Sequence, residues 1–292
     1  MTLVVGWATP DIGFLVADTL LSFPFELKGH VGPVNGRFHT LKIQILNANV
    51  AVAFAGDAAA SCRLIRALHT RITADPAIDP CAQLLALYNG FDAVPASDPL
   101  PEYEFLILQL TPRGLNLAKV TRHGVFHCQR THIGDDLEYK RMRELQRPYV
   151  APVVQHFQQS DGTFRVMPLI LTEGETEFAK MSDAMEALTQ SRRSESVGAI
   201  AGCITRVVNA RISGELEYLQ SVEASLTPWE GVSGFSVLAS NSGTRGVGIY
   251  YRTGRMGFLF AVGDDQPCRK EYAQTIEDFV RVARSKYGLD LT

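Results

Sequence analysis

One change of hydrophobic period constrains this chain more than any other feature. Val50–Ala55 is a continuous apolar run, the pattern of a strand buried on both faces. Gly56-Asp57 ends it. Ala60, Leu64, Ala67, Leu68 and Ile72 then recur on one stripe, which predicts a helix over Ala58–Ile72. Asp57 stands where a helix N-cap belongs. Any fold must therefore let an inner strand turn at a glycine corner directly into an amphipathic helix.

The preceding segments read as strands. Leu3–Trp7 and Ile12–Ala17 flank the turn signal Thr9-Pro10-Asp11 and predict a hairpin. Phe23–Arg37, with Pro24, Gly29, Gly32, Pro33 and Gly36, reads as a loop. Leu41, Ile43 and Ile45 alternate along Leu41–Leu46. Beyond the first helix, Asp79–Tyr88 predicts a second, with Asp79 as cap and Pro80 at the first helical position. Asn89–Pro101 reads as loop. Glu104–Leu110 and Gly114–Thr121 predict another hairpin around Thr111-Pro112-Arg113, and Gly124–Cys128 a further short strand.

The second half is less regular. Asp136–Leu145 reads as a helix, and Arg147 to about Thr176, with Pro148, Pro152 and Pro168, as irregular chain. Glu177–Gln190 and Ser194–Ile212 predict helices, the latter from the stripe Val197, Ile200, Ala201, Ile204, Val207 and Val208. Strands are expected at Gly234–Ala239, Gly246–Tyr251 and Gly257–Val262. A closing helix is expected over Pro267–Lys286, with Tyr272, Ile276, Phe279, Val280 and Ala283 on one stripe. Strands joined by hairpins, not by alternating helices, point to an α+β fold with largely antiparallel sheets. No repeat or linker interrupts the chain, so residues 1–292 read as one domain, with insertions near 23–37 and 145–176.

Composition removes several function classes. The formal net charge of -3 speaks against a basic nucleic-acid-binding surface. No apolar run is long enough to span a bilayer, and the N-terminus has no signal-peptide pattern. No nucleic-acid or membrane partner is expected, and a cytoplasmic location is. Neither G-x-x-x-x-G-K-[ST] nor G-x-G-x-x-G is present, so no cofactor is expected. Cys62, Cys81, Cys128, Cys203 and Cys268 are odd in number and widely spaced, and read as buried thiols. His123, His127, Cys128 and His132 cluster, but without a zinc spacing, and no metal is assigned.

The N-terminus carries the chemistry. Thr2 follows the initiator Met1, and Thr is small enough for Met to be removed ahead of it. A terminal Thr holds a nucleophilic hydroxyl and a base, the α-amine, on one residue. That amine has a pKa of about 7.7–8.0, close to working pH.

The chain around Thr2 resembles the β-type subunits of the proteasome superfamily, including the bacterial proteasome-like peptidase of the heat-shock locus. Thr2-Leu3-Val4-Val5-Gly6 is similar to that family's opening strand, and Val16-Ala17-Asp18 supplies an Asp sixteen residues after the Thr. Lys42-Ile43-Gln44-Ile45-Leu46 resembles its third strand, and Ala53-Phe54-Ala55-Gly56-Asp57-Ala58-Ala59 its strand-to-helix corner. The family's G-S-G-like turn is matched best by Ile133-Gly134-Asp135-Asp136, where Asp135 stands in place of Ser. Its late Asp and Ser, three residues apart, are matched by Glu230 and Ser233, with Glu for Asp.

The resemblance implies a four-layer αββα sandwich of two antiparallel sheets and an N-terminal-nucleophile hydrolase that cleaves amide or peptide bonds. Thr2 is then nucleophile and base. Lys42 lowers the proton affinity of its hydroxyl, Asp18 neutralises Lys42, and the Gly56 N–H donates to the oxyanion. Asp135, Glu230 and Ser233 complete the implied site. A peptide or unfolded-protein substrate, a homo-oligomeric ring or stack and a separate ATPase unfoldase are the implied partners. Two alternatives remain on the same resemblance: a catalytically inactive scaffold, and an amidase acting on a small molecule.

Overall fold

The computed structural model describes residues 2–18, 20–21, 38–39, 41–91, 103–146, 154–158, 164–168, 172–190, 204–209, 214–219, 235–252, 254–264 and 268–292. The chain opens with β1 (Leu3–Ala8), β2 (Gly13–Asp18), β3 (Leu20–Leu21), β4 (Phe38–His39), β5 (Ile43–Asn47) and β6 (Val50–Ala55). Helices α1 (Ala58–Ala74) and α2 (Pro80–Phe91) follow, then β7 (Glu104–Thr111), β8 (Gly114–Thr121), β9 (Gly124–His127) and β10 (Arg130–Gly134). Next come α3 (Asp136–Leu145), β11 (Val154–Gln158), β12 (Phe164–Pro168), α4 (Glu173–Gln190), β13 (Ile204–Asn209) and β14 (Leu216–Leu219). The C-terminal part holds β15 (Phe235–Ser240), β16 (Gly246–Tyr251), β17 (Met256–Ala261), β18 (Arg269–Tyr272) and α5 (Ile276–Tyr287).

The fold is α+β, and its strands pair antiparallel throughout the described residues. A first sheet has the order β10-β1-β2-β13-β14, a second β5-β6-β7-β8-β9, and a third β15-β16-β17-β18; β3-β4 and β11-β12 form two-stranded ribbons. The β1–β2 hairpin runs from Val4↔Ala17 to Ala8↔Gly13. Its turn closes where Thr9 N donates to the Ile12 carbonyl at 2.8 Å, with Pro10 presetting the bend.

Alternation along the strands sets the packing. Val4, Leu15 and Ala17 of the first sheet meet Ile43, Ile45, Ala51, Ala53, Leu106, Leu108 and Leu117 of the second. The opposite face of the second sheet, Val52, Phe54, Phe105 and Ile107, packs on Leu64, Ile65 and Leu68 of α1 and Leu84 and Tyr88 of α2. The opposite face of the first, Leu3, Val5, Trp7, Phe14 and Val16, packs on Met142 of α3 and Met181, Met185 and Leu188 of α4. Strands β1, β2 and β6 are buried on both sides, which is why they read as unbroken apolar runs. Each such Leu, Ile, Val or Phe stabilises the fold by about 1.5–3 kcal/mol relative to exposure.

The third sheet gives Val247, Ile249, Tyr251 and Phe260 to the central cluster, while Tyr250 and Leu259 face Phe279 and Ala283 of α5. Tyr218 of β14 ties the first two sheets together: its hydroxyl accepts Ile45 N–H at 2.9 Å and donates to the Ile43 carbonyl at 3.2 Å. No helix among the described residues is long and apolar enough to cross a membrane.

Several parts of the structure depart from the sequence reading. Ile204–Asn209, expected within a helix over Ser194–Ile212, is strand β13, paired to β2 from Ile204↔Asp18 to Val208↔Phe14 and to β14 from Arg206↔Leu219 to Asn209↔Leu216. The rest of that expected helix lies outside the described residues. Ile204, Thr205, Val207 and Val208 are β-branched, and β2 has an open edge whose backbone groups need partners. Arg269–Tyr272, expected inside the closing helix, is strand β18; the helix starts afresh at Ile276, with Thr275 Oγ1 accepting Asp278 N–H at 3.1 Å. Tyr272 is consequently 70% exposed, not part of the core stripe. The stretch from Arg147 to about Thr176, expected to be irregular, contains the β11–β12 hairpin and the start of α4, and β10 has no counterpart among the expected strands. Asn89 and Gly90, expected in a loop over Asn89–Pro101, belong to α2, which continues to Phe91; residues 92–101 and the insertion at 23–37 lie outside the described residues.

Candidate active site

Thr2 immediately precedes β1 and is 4% exposed. Its carbonyl accepts the Asp135 N–H at 2.8 Å, at the end of the β1–β10 ladder that pairs Leu3 with Gly134. Gly134 has φ +95°, a region that L side chains avoid. A Cβ there would overlap the Thr2 carbonyl oxygen and lie 3.4 Å from Ala55 Cβ. Glycine is thus the one residue that lets β10 close against the Thr2 main chain. The same contact brings the end of β6 to this corner.

Asp18 ends β2, one register step beyond the Val4↔Ala17 pair, so it stands beside the first residues of β1. Lys42 immediately precedes β5, and its carbonyl accepts Phe54 N–H from β6 at 3.2 Å. Lys42 Nζ lies 2.6 Å from Asp18 Oδ1, and both side chains are 0% exposed. Burial pushes the Lys42 ammonium below its ordinary pKa, while the charge and hydrogen bond of Asp18 oppose that shift. A buried cation held this way has lost its hydration and acts on neighbours through a low dielectric.

Gly56 sits between β6 and α1 with φ +108°, solvent-exposed. A side chain at that φ would be strained, so glycine fits the corner. Asp57 caps α1, its Oδ1 accepting Ala60 N–H at 2.8 Å. The positive end of a seventeen-residue helix therefore opens beside Gly56.

Asp135 reaches Thr2 through its backbone. Its carboxylate caps α3, with Oδ1 accepting Leu137 N–H at 2.9 Å and Glu138 N–H at 3.1 Å. Glu230 and Ser233 lie outside the described residues. The structure thus gathers Thr2, Asp18, Lys42, Gly56 and the Asp135 backbone at one end of the two central sheets.

Two neighbours escaped the sequence reading. Glu104 Oε2 accepts Gly134 N–H at 3.0 Å, and Glu104 Oε1 pairs with Lys119. The available signal was a charge at the first position of an otherwise apolar strand, Glu104-Phe105-Leu106-Ile107-Leu108. Alternative nucleophiles are disfavoured at the described cysteines. Cys81 is buried and Cys62, Cys128 and Cys268 are half-buried. Burial pushes all four thiols up, to about 11 for Cys62 and about 12 for Cys81, which keeps them protonated at neutral pH. Of the histidines near β9 and β10, His127 bonds Asn116 and His132 bonds Asp136 at 2.7 Å, and no group of His, Cys, Asp and Glu among the described residues is placed to hold a metal ion.

Compared with known protein families and with characterised proteins, the chain matches no family model and no characterised sequence.

Proposed function

We propose that the protein is a threonine-type N-terminal-nucleophile hydrolase that cleaves amide or peptide bonds once Met1 is removed. The carrying observation is the fully buried Lys42–Asp18 ion pair beside the first strand, at 2.6 Å. Two buried charges are expensive to retain for stability alone, because apolar residues of similar volume serve as well or better. The succession of packed faces, α1/α2 on the second sheet, the second sheet on the first, and the first on α3/α4, supports the αββα sandwich of this class.

On this reading the Thr2 amine takes the hydroxyl proton as Oγ1 attacks the substrate carbonyl carbon. Lys42 stabilises the forming alkoxide, and Asp18 keeps that lysine oriented. The Gly56 N–H and the α1 N-terminus receive the developing oxyanion. The amine then protonates the departing nitrogen, leaving an ester on Thr2. Water, activated by the same amine, hydrolyses that ester and frees Thr2. The substrate is a peptide or unfolded segment, and the protein works as a homo-oligomer with any unfolding done by a separate ATPase.

A second reading is a catalytically silent scaffold. It is favoured by one observation: Asp135, at the position of the resembled family's Ser, places its carboxylate Oδ1 on the Leu137 and Glu138 amides at the start of α3. Labelling decides between them. A threonine-directed epoxyketone is expected to add once per wild-type chain and not at all to Thr2→Ala. Equal labelling of both proteins, or none of either, would leave the scaffold. An adduct on Thr2 with no cleavage across a peptide library would indicate a small-molecule amidase.

A further inference from the structure

Strand β10 is an edge of the first sheet. The odd-numbered positions of and beside this strand bond inward to β1 and its neighbours: flanking Asp135 N donates to the Thr2 carbonyl and Ala8 N to the carbonyl of flanking Gln129, each at 2.8 Å. His132 and Gly134, between them in alternation, therefore turn their backbone groups outward. No strand pairs with that side among the described residues. Exposed edge groups of this kind need a partner or water.

Two side chains of the second sheet supply the partner. Glu104, on β7, accepts Gly134 N–H at 3.0 Å. Lys119, on β8, donates to the His132 carbonyl at 3.3 Å and also pairs with Glu104. One residue of a parallel neighbouring strand would engage the same two groups, a carbonyl and the amide two residues later. The Glu104–Lys119 pair takes the place where a neighbouring strand would bond and bridges the two sheets. With side chains 27% and 26% exposed, the ion pair itself contributes little stability. The bond from Gly134 N–H to a carboxylate is the stronger element.

We propose that Glu104 is a positioning residue for Thr2. Its carboxylate fixes Gly134, Gly134 fixes Asp135, and Asp135 N–H holds the main chain of Thr2. This rests on the reading of Thr2 as nucleophile, whose rate depends on placement to within a fraction of an ångström.

The test uses the full chain and two readouts: amide hydrogen exchange at Asp135 and the rate of epoxyketone labelling of Thr2. Glu104→Ala is expected to speed Asp135 exchange and slow labelling, each by about tenfold, the scale of one charge-assisted hydrogen bond. Exchange at Ile107 and Leu108, inside β7, should stay at the wild-type value. Glu104→Gln keeps an oxygen acceptor for Gly134 and should bring both readouts to within about threefold of wild type. Should Glu104→Ala not fold, Glu104→Asp retains the charge beside Lys119 but withdraws the carboxylate, and should also speed Asp135 exchange. Wild-type exchange and labelling in the Ala or Asp variant, or a Gln variant as impaired as Ala, would overturn the proposal. A wild-type chain that never labels would instead overturn the nucleophile reading, and with it the catalytic sense of the positioning. Unchanged exchange in a protein that labels normally would overturn the Glu104 proposal alone.

Discussion

Lys42 Nζ sits 2.6 Å from Asp18 Oδ1, and neither side chain touches solvent. Asp18→Asn leaves the buried ammonium without its carboxylate. The expected loss of stability is about 3–5 kcal/mol, read from urea unfolding. Replacing both partners, Asp18→Leu with Lys42→Met, should recover most of that loss while leaving Thr2 unlabelled. A double variant that labels at the wild-type rate would remove the ion pair from the mechanism.

Gly134→Ala tests the closure of β10 on Thr2. The substitution forces a side chain into φ +95° and against the Thr2 carbonyl. Backbone strain alone should cost about 1–3 kcal/mol, and labelling should fall with it. A variant as stable and as reactive as wild type would contradict the geometry of this corner.

Tyr218→Phe removes the hydroxyl that bonds both Ile45 N–H and the Ile43 carbonyl. The buried Ile45 amide then loses its partner, at an expected cost of about 1–3 kcal/mol. Urea midpoints measure it. Because β5 follows directly on Lys42, the labelling rate should fall too.

Stability should decline in alkali for an identifiable reason. The Cys81 thiol is raised from 9.0 to about 12 in the folded chain. Above pH 9 the unfolded chain has released this proton while the folded chain retains it, so stability falls as pH rises from 9 toward 12. Cys81→Ala should flatten that slope by up to about 1.4 kcal/mol per pH unit, whatever its effect at pH 7. An unchanged slope would contradict the burial of this thiol.

The legible parts of the chain were those where local pattern and tertiary demand agree. Val50–Ala55, the Asp57 cap, Pro80 at the start of α2 and the β7–β8 hairpin all declare themselves in a few residues. β13 did not, because Ile204, Val207 and Val208 satisfy a helical spacing as well as a strand composition, and only the open edge of β2 decides between them. Tyr272 fitted a helical stripe by coincidence of spacing, and the cap at Thr275 restarts the helix four residues later. β10 was hidden because Arg130-Thr131-His132-Ile133-Gly134 is polar, as an edge strand tolerates. Asp18 and Lys42 were visible as types at a spacing. Glu104 stood out only as a charge at the head of an apolar strand, and that charge does not name its partner, a backbone amide thirty residues away.

The most direct test of the central claim is the intact mass of the purified protein before and after incubation with a threonine-directed epoxyketone. The account predicts a chain lighter by one methionine that gains a single adduct, with the same processing but no adduct in Thr2→Ala. A chain that keeps Met1, or an adduct that persists in Thr2→Ala, would contradict it.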